Sequence, residues 1–158
     1  MTTSTDKKST DNRDRPIAAF VSVGPRLIHY DLDVENAALV QRESITLPEN
    51  IQYAWPHASG DYLYVASSNG GPGGTLNNRH FMSALRIDPA TRALAYHGKP
   101  VSLPSRPIHI TVDAPSDHAL VAYNQPSGLT VHRLNGDGTV GELVKQEAPL
   151  DFGIYPHQ

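Results

Sequence analysis

The segment "YDLDVENAALVQRE" (Tyr30–Glu43) recurs further along the chain as "LRIDPATRALAYHG" (Leu85–Gly98), with the same apolar-x-apolar-Asp opening, a polar middle, and Ala-Leu closing a six-residue step from the aspartate. A third copy, "VHRLNGDGTVGEL" (Val131–Leu143), has Asn135 where the others have Asp33 and Asp88, and Asn-Gly-Asp-Gly in place of the Asp-Pro turn. A second anchor keeps step with the first: "DYLYVA" at Asp61 returns as "DHALVA" at Asp117, with Asp, Val and Ala shared. A third joins His109 of "RPIH" to His157 of "YPHQ". Independent anchors at such similar spacings restrict the chain to an array of like units, each of which buries its apolar faces only against a neighbour.

The units are β. Apolar runs at 17–23, 26–33, 38–43, 61–67, 118–124 and 129–135 each have the length of one strand and are bounded by turn residues. No long stretch holds a 3.6-residue apolar period, and 12 Gly and 13 Pro interrupt any long helix through lost N–H donors and backbone entropy. In Asp88-Pro89-Ala90-Thr91, Pro89 presets φ for the second turn position, and Asp88 can bond its own backbone two residues on. Strand-and-turn repeats of roughly 50 residues predict an all-β fold, a partial β-propeller of about two and a half to three four-stranded antiparallel blades. Solenoid coils are shorter than this period.

Propellers close with about 4 to 8 blades, so a ring of such repeats needs roughly 200 residues or more. With 158 residues and an end in mid-repeat at "GIYPHQ", the chain is expected to be the N-terminal piece of a larger ring. A small open β-sheet protein, complete as it stands, is the alternative. Residues 1–15 carry no apolar residue after Met1 and read as a disordered polar tail, leaving residues 16–158 for the blades.

Composition narrows the partners. The chain is 39% hydrophobic and 18% charged, an ordinary globular balance, and a net charge of −3 without a Lys/Arg cluster leaves no footprint for nucleic acid. Having no cysteine removes disulfides, zinc-thiolate sites and thiol nucleophiles together. No segment approaches the roughly 20 apolar residues of a membrane helix, so no membrane partner is expected and a cytoplasmic location is the default. Acidic residues are scattered through turns without His-x-x-x-His or Asp-x-Asp spacing, and neither a metal nor another cofactor is expected. "NGGPGG" (Asn69–Gly74) lacks the Gly-Lys-Ser/Thr ending and the following helix of a phosphate-binding loop, and reads as a loop between blades.

The ordered set "DYLYVA", "RIDPATRAL", "PIHITVD", "DHALVA", "LNGDGTVGEL" and "YPHQ", within residues 16–158, resembles the lactonase family of seven-bladed β-propellers. That family includes propeller-type 6-phosphogluconolactonases and carboxy-muconate lactonizing enzymes, and its counterpart of "RIDPATRAL" reads Asp-Pro-x-Thr-Gly-x-Leu. The resemblance implies a seven-bladed ring acting on a small-molecule lactone. Departures accompany it: Ser67 and Tyr123 stand where the family usually has Asn, with Asn124 one place late, and "YPHQ" replaces Pro-His-Ala-His. Cleft residues that family members draw from later blades have no counterpart in this chain.

Opening a lactone requires water to attack an ester carbonyl, a base to take its proton, and donors to hold the developing oxyanion. Histidine suits the base, because its ordinary pKa of about 6.5 leaves much of it neutral at pH 7. The resemblance matches His157 to the family histidine of the cleft and makes it the catalytic candidate. His109 at the same repeat site, Arg106 as a clamp for phosphate or carboxylate, and Asn124 as a partner for a substrate hydroxyl are the substrate-binding candidates. Each has a plainer reading: a histidine holding an inter-blade loop, a solvated arginine, and a turn cap. His29, His97 and His132 are expected to be surface or packing residues, and His57, His80 and His118 have no assigned partner. The expected activity is metal-independent opening of a sugar-derived lactone, as in 6-phosphogluconolactonases. The alternatives are a non-catalytic propeller binding platform, which Ser67 slightly favours, a lactone-forming cycloisomerase of the muconate type, and an inactive fragment that self-associates through exposed blade edges.

Overall fold

Twelve strands in three antiparallel sheets, with no helix, make up the part of the chain that the computed structural model describes, residues 17–71 and 78–147. The first sheet is the meander β1 (Ile17–Val23), β2 (Arg26–Asp33) and β3 (Ala38–Thr46). The second runs β4 (Asn50–Pro56), β5 (Tyr62–Ser68), β6 (His80–Ile87) and β7 (Leu94–Tyr96), and β8 (Val101–Ser102) also pairs with β6. The third is β9 (Pro107–Val112), β10 (His118–Asn124), β11 (Ser127–Leu134) and β12 (Val140–Leu143). Gly98 at φ +82° and Pro100, which has no N–H to donate, separate β7 from β8 and so break the outer strand of the second sheet.

The three sheets are the expected blades, and the runs 17–23, 26–33 and 118–124 form strands at the bounds read from the sequence. The run at 38–43 continues to Thr46, and those at 61–67 and 129–135 are displaced by one or two residues. One expectation is corrected. Asn69 N–H donates to the Arg79 carbonyl (3.0 Å) and Arg79 N–H to Asn69 Oδ1 (3.1 Å), so the glycine-rich segment joins β5 to β6 within one sheet rather than linking two blades. Residues 1–15 and the "YPHQ" segment lie outside the described residues, among which no helix is long and apolar enough to cross a membrane.

Stacking of the sheets follows from β5, where every residue from Leu63 to Ser68 is buried. Side chains alternate along a strand, so such a run needs cover on both faces. Leu63 and Val65, with Leu85 and Ile87 of β6, pack against Leu27, Phe20 and Ile45 of the first sheet. Tyr64 and Ala66, with Met82 and Ala84, pack against Ile110, Ala119, Val121 and Leu134 of the third. Each of the larger of these side chains contributes about 1.5–3 kcal/mol of apolar burial at most, and the alanines less, so the two seams carry most of the cohesion.

Polar ties pin the seams in register. Tyr64 Oη donates to the Gly138 carbonyl at 3.0 Å, and burial pushes its phenol pKa up to about 12. Ala58 N–H donates to Ser116 Oγ at 2.9 Å between the second and third sheets, and Tyr96 Oη to the Thr46 carbonyl at 2.9 Å between the second and first.

The repeated turns have repeated backbone geometry. Asp33 Oδ1 accepts from Asn36 N–H (3.0 Å), and Asp88 Oδ1 from Ala90 and Thr91 N–H (2.9 and 2.8 Å). Each hairpin then closes through a left-handed residue: Ala37 (φ +50°), Arg92 (+61°) and Gly138 (+85°). Arg92 occupies the position that is glycine in the motif Asp-Pro-x-Thr-Gly, and a side chain there costs about 1–2 kcal/mol. Arg92→Gly is expected to stabilise the fold by about 1 kcal/mol, part of the gain being offset by glycine's extra freedom when unfolded, and thermal unfolding measures it. A lower melting temperature would contradict this reading of the turn.

Acid stability has two windows. Burial lowers the pKa of His132, which is 3% exposed in β11, so the unfolded chain takes up a proton below about pH 6.5 that the fold resists, and stability falls from there downward. The backbone and hydroxyl hydrogen bonds from Thr91 hold the Asp88 carboxyl below its ordinary value of 3.8, so its contribution is lost only as pH falls below that value. Denaturant midpoints measured from pH 7 to 5 should therefore decline, and His132→Gln should flatten that decline while leaving the second window in place.

Candidate functional site

The inner margins of the second and third sheets are β4 and β9, which lie side by side across a seam. Leu47-Pro48 leads into the first and Leu103-Pro104, one repeat further on, into the second. Pairing of Tyr53 with Ala66 and of Trp55 with Tyr64 turns both aromatic side chains toward the third sheet, because Ala66 and Tyr64 face it. There the His109 ring lies 4.3 Å from that of Tyr53 and 6.1 Å from that of Trp55, centroid to centroid. Tyr53 and Trp55 stay 38% and 36% exposed.

Arg106, half-buried at the approach to β9, donates from Nε and Nη2 to Gln52 Oε1 at 3.0 and 2.9 Å. Gln52 is itself oriented by donating from Nε2 to the Asn50 carbonyl at 3.2 Å. Among the described residues no carboxylate pairs with Arg106. The guanidinium is thus fixed in direction by a neutral partner and keeps its charge for an anion. A cleft of about 510 Å³ between β1 and β4, lined by Phe20, Ser22, Gln52, Tyr53 and Trp55, opens beside the cluster and is of ligand size. A cavity of about 570 Å³ elsewhere is lined by Asp31, Arg42, Glu43 and the turn at Pro89–Ala93, but Asp31 binds Arg42 at 2.6 and 2.7 Å and neutralises it.

Of the residues singled out in the sequence, the structure therefore brings His109 and Arg106 together. Asn124 ends β10 at the same end of the sheet, since Tyr123 pairs with Pro107. Its exposed side chain makes no hydrogen bond to either, and its carbonyl accepts from Ser127 Oγ at 3.3 Å in the turn. His157 lies outside the described residues. Ser67 is fully buried, on the face of β5 turned to the first sheet.

Three residues of the cluster, Gln52, Tyr53 and Trp55, are missing from the sequence-based candidates. The repeat does carry a signal for them: the step that leads from Asp117 back to Asp61, taken from His109, lands on Tyr53. Matching His109 only to the histidine ahead of it hides that relation. Four other histidines make contacts within the fold: His57 Nδ1 lies 2.9 Å from Ser59 Oγ, His80 Nδ1 2.9 Å from Ser68 Oγ, His118 Nδ1 3.0 Å from Asp113 Oδ2, and the His97 ring stacks on Tyr62.

Among curated proteins, none matches this chain. Solved structures do: the periplasmic gluconolactonase of Pseudomonas aeruginosa (18% identity, TM-score 0.63, 78% of this chain and 34% of that one) and candidate 6-phosphogluconolactonases from Bacteroides fragilis (13%, 0.66, 82% and 35%) and Bacteroides uniformis (17%, 0.66, 85% and 37%). This chain therefore spans about a third of their length, and at such identities the likeness is one of fold. The family model "Lactonase, 7-bladed beta-propeller" matches residues 19–154, nearly the whole chain, and the three stacked sheets described above are what successive blades of such a ring look like. The chain belongs to the lactonase family of seven-bladed β-propellers.

Proposed function

We propose that the seam between β4 and β9 is the substrate-recognition part of a lactone-opening site, and that the substrate is a sugar-derived lactone bearing an anionic group. The observation that carries this is Arg106, oriented by Gln52 and paired with no carboxylate among the described residues, beside a partly exposed aromatic cluster in a lactonase-family chain. Tyr53, Trp55 and His109 offer ring faces for the apolar face of a sugar ring, and Arg106 holds a phosphate or carboxylate. Asn124, at the same end of the third sheet, takes a ring hydroxyl. His157 acts as the general base that draws a proton from the attacking water, with no metal in the step. The bond from the carbonyl carbon to the ring oxygen breaks, the ring oxygen gains a proton, and the open-chain acid leaves. A phosphorylated substrate goes with a cytoplasmic setting.

Trp55 is the only tryptophan, so its emission reports ligand at this seam. Titration with 6-phosphogluconate, the hydrolysis product and a stable probe, is expected to change that emission saturably. Arg106→Met should weaken binding about tenfold or more, since a charge-assisted bond contributes about 1.5–3 kcal/mol. A flat titration, or equal affinity in Arg106→Met, would refute the assignment.

A further inference from the structure

The three sheets are not equivalent. Asp33 ends β2, and Asp88 and Asn135 directly follow β6 and β11, all at the same corner of the repeat. β2 therefore corresponds to β6 and β11, β3 to β7 and β12, and β1 to β5 and β10. Nothing described in the first sheet corresponds to β4 or β9: among the described residues β1 pairs with β2 alone, and its other edge is free. β4 accordingly has β9 beside it on one side, and on the other, toward β1, borders the cleft of about 510 Å³.

Both ends of the stack also present apolar faces. On the first sheet, Ile17, Val21, Val23 and Leu39 point away from the second sheet and are exposed. On the third, Leu120, Ala122, Leu129 and Val131 point away from the core residues Ala119, Val121 and Leu134 and are partly exposed. The repeat shows what each face fits. The step from Asp88 to Asn135 carries Met82 and Ala84 onto Leu129 and Val131, and that from Asp61 to Asp117 carries Tyr64 and Ala66 onto Leu120 and Ala122. In the second sheet these are the residues packed on the sheet that follows. The step from Asp33 to Asp88 carries Tyr30 and Leu32 onto Leu85 and Ile87, which pack on the sheet before. The two free faces are thus the two halves of a seam that the molecule already forms twice.

We propose that this chain docks with a second copy head to tail, the free face of one copy's third sheet on the free face of the other's first, and that residues 150–158 supply the inner strand this first sheet lacks. That segment, "LDFGIYPHQ", adds along the open edge of β1 by strand pairing. His157 aligns with His109, which pairs with Ala122, and the counterpart of Ala122 in β1 is Ser22, so His157 falls opposite the partner's Ser22. Three sheets per copy give six for a pair, inside the range of about 4 to 8 at which propellers close. Two such contacts close the ring, and the assembly stops at a dimer. The inference rests on the repeat and the free surfaces, not on the chemistry read at Arg106.

Sedimentation velocity of the full chain over a range of concentrations is expected to show a reversible equilibrium of monomer and dimer with no larger species. Val21→Lys, at a position already 41% exposed, should keep the circular dichroism of the fold and weaken dimerisation about tenfold or more, because it buries a lone ammonium. Val40→Lys, 45% exposed on the opposite face of the same sheet, should leave dimerisation unchanged. The chain has no cysteine, so Ser22→Cys and His157→Cys, made in separate copies, report the added strand. Mixed and mildly oxidised, they should give a linked dimer that neither variant gives alone. A monomer at every concentration, leaving the faces to further repeats or to another protein, would overturn the proposal. So would a dimer unchanged by Val21→Lys, or one in which the mixed cysteines do not link.

Discussion

A β-sheet buried on both faces cannot exist without two neighbours, and the middle sheet here is such a sheet. From Leu63 to Ser68 every residue of β5 is buried, odd-numbered apolar positions against the first sheet and even-numbered ones against the third. The outer sheets have one face covered each, and Ile17, Val21 and Val23, on the face of β1 opposite to Phe20 and so turned away from the second sheet, are exposed. Apolar area and not hydrogen bonding sets the order of layers, while Tyr64, Ser116 and Tyr96 fix the register in which the layers meet.

The candidate site is a product of that stacking. Gln52 and Tyr53 belong to one sheet, Arg106 and His109 to the next, and no strand pairing joins them. Only the seam brings them into contact. Followed outward to where β8 and β12 leave it open, the same seam turns apolar, so one packing geometry holds a cationic side chain at its inner end and an apolar crevice at its outer end.

Much of this is legible in the sequence, for a physical reason. Hairpin turns need particular residues at fixed offsets, so Asp33, Asp88 and Asn135 mark the same corner of each repeat, and strands half or wholly covered must be apolar in short runs. What the sequence conceals lies where neighbours decide. β4 reads as mixed polar and aromatic and does not announce itself as a strand, although it carries half of the site, because an inner strand facing a cleft has no reason to be apolar. For His29 and His132 the sequence leaves surface and packing roles open, and both are buried, since nothing in a single strand tells which face the next sheet will cover. Asn124 stands out for its chemistry, and it sits at the right end of the sheet without touching Arg106 or His109.

Native-state hydrogen exchange on β5 tests the layered arrangement most directly when read in Ile110→Ala, a change confined to the third sheet that removes about 2–5 kcal/mol of packing. If the middle sheet depends on its neighbour, the slowest amides of β5 lose protection by the same free energy as the variant loses globally. Protection of β5 left at its original level, while β9 and β10 alone become labile, would show that the sheets stand independently and would contradict the account.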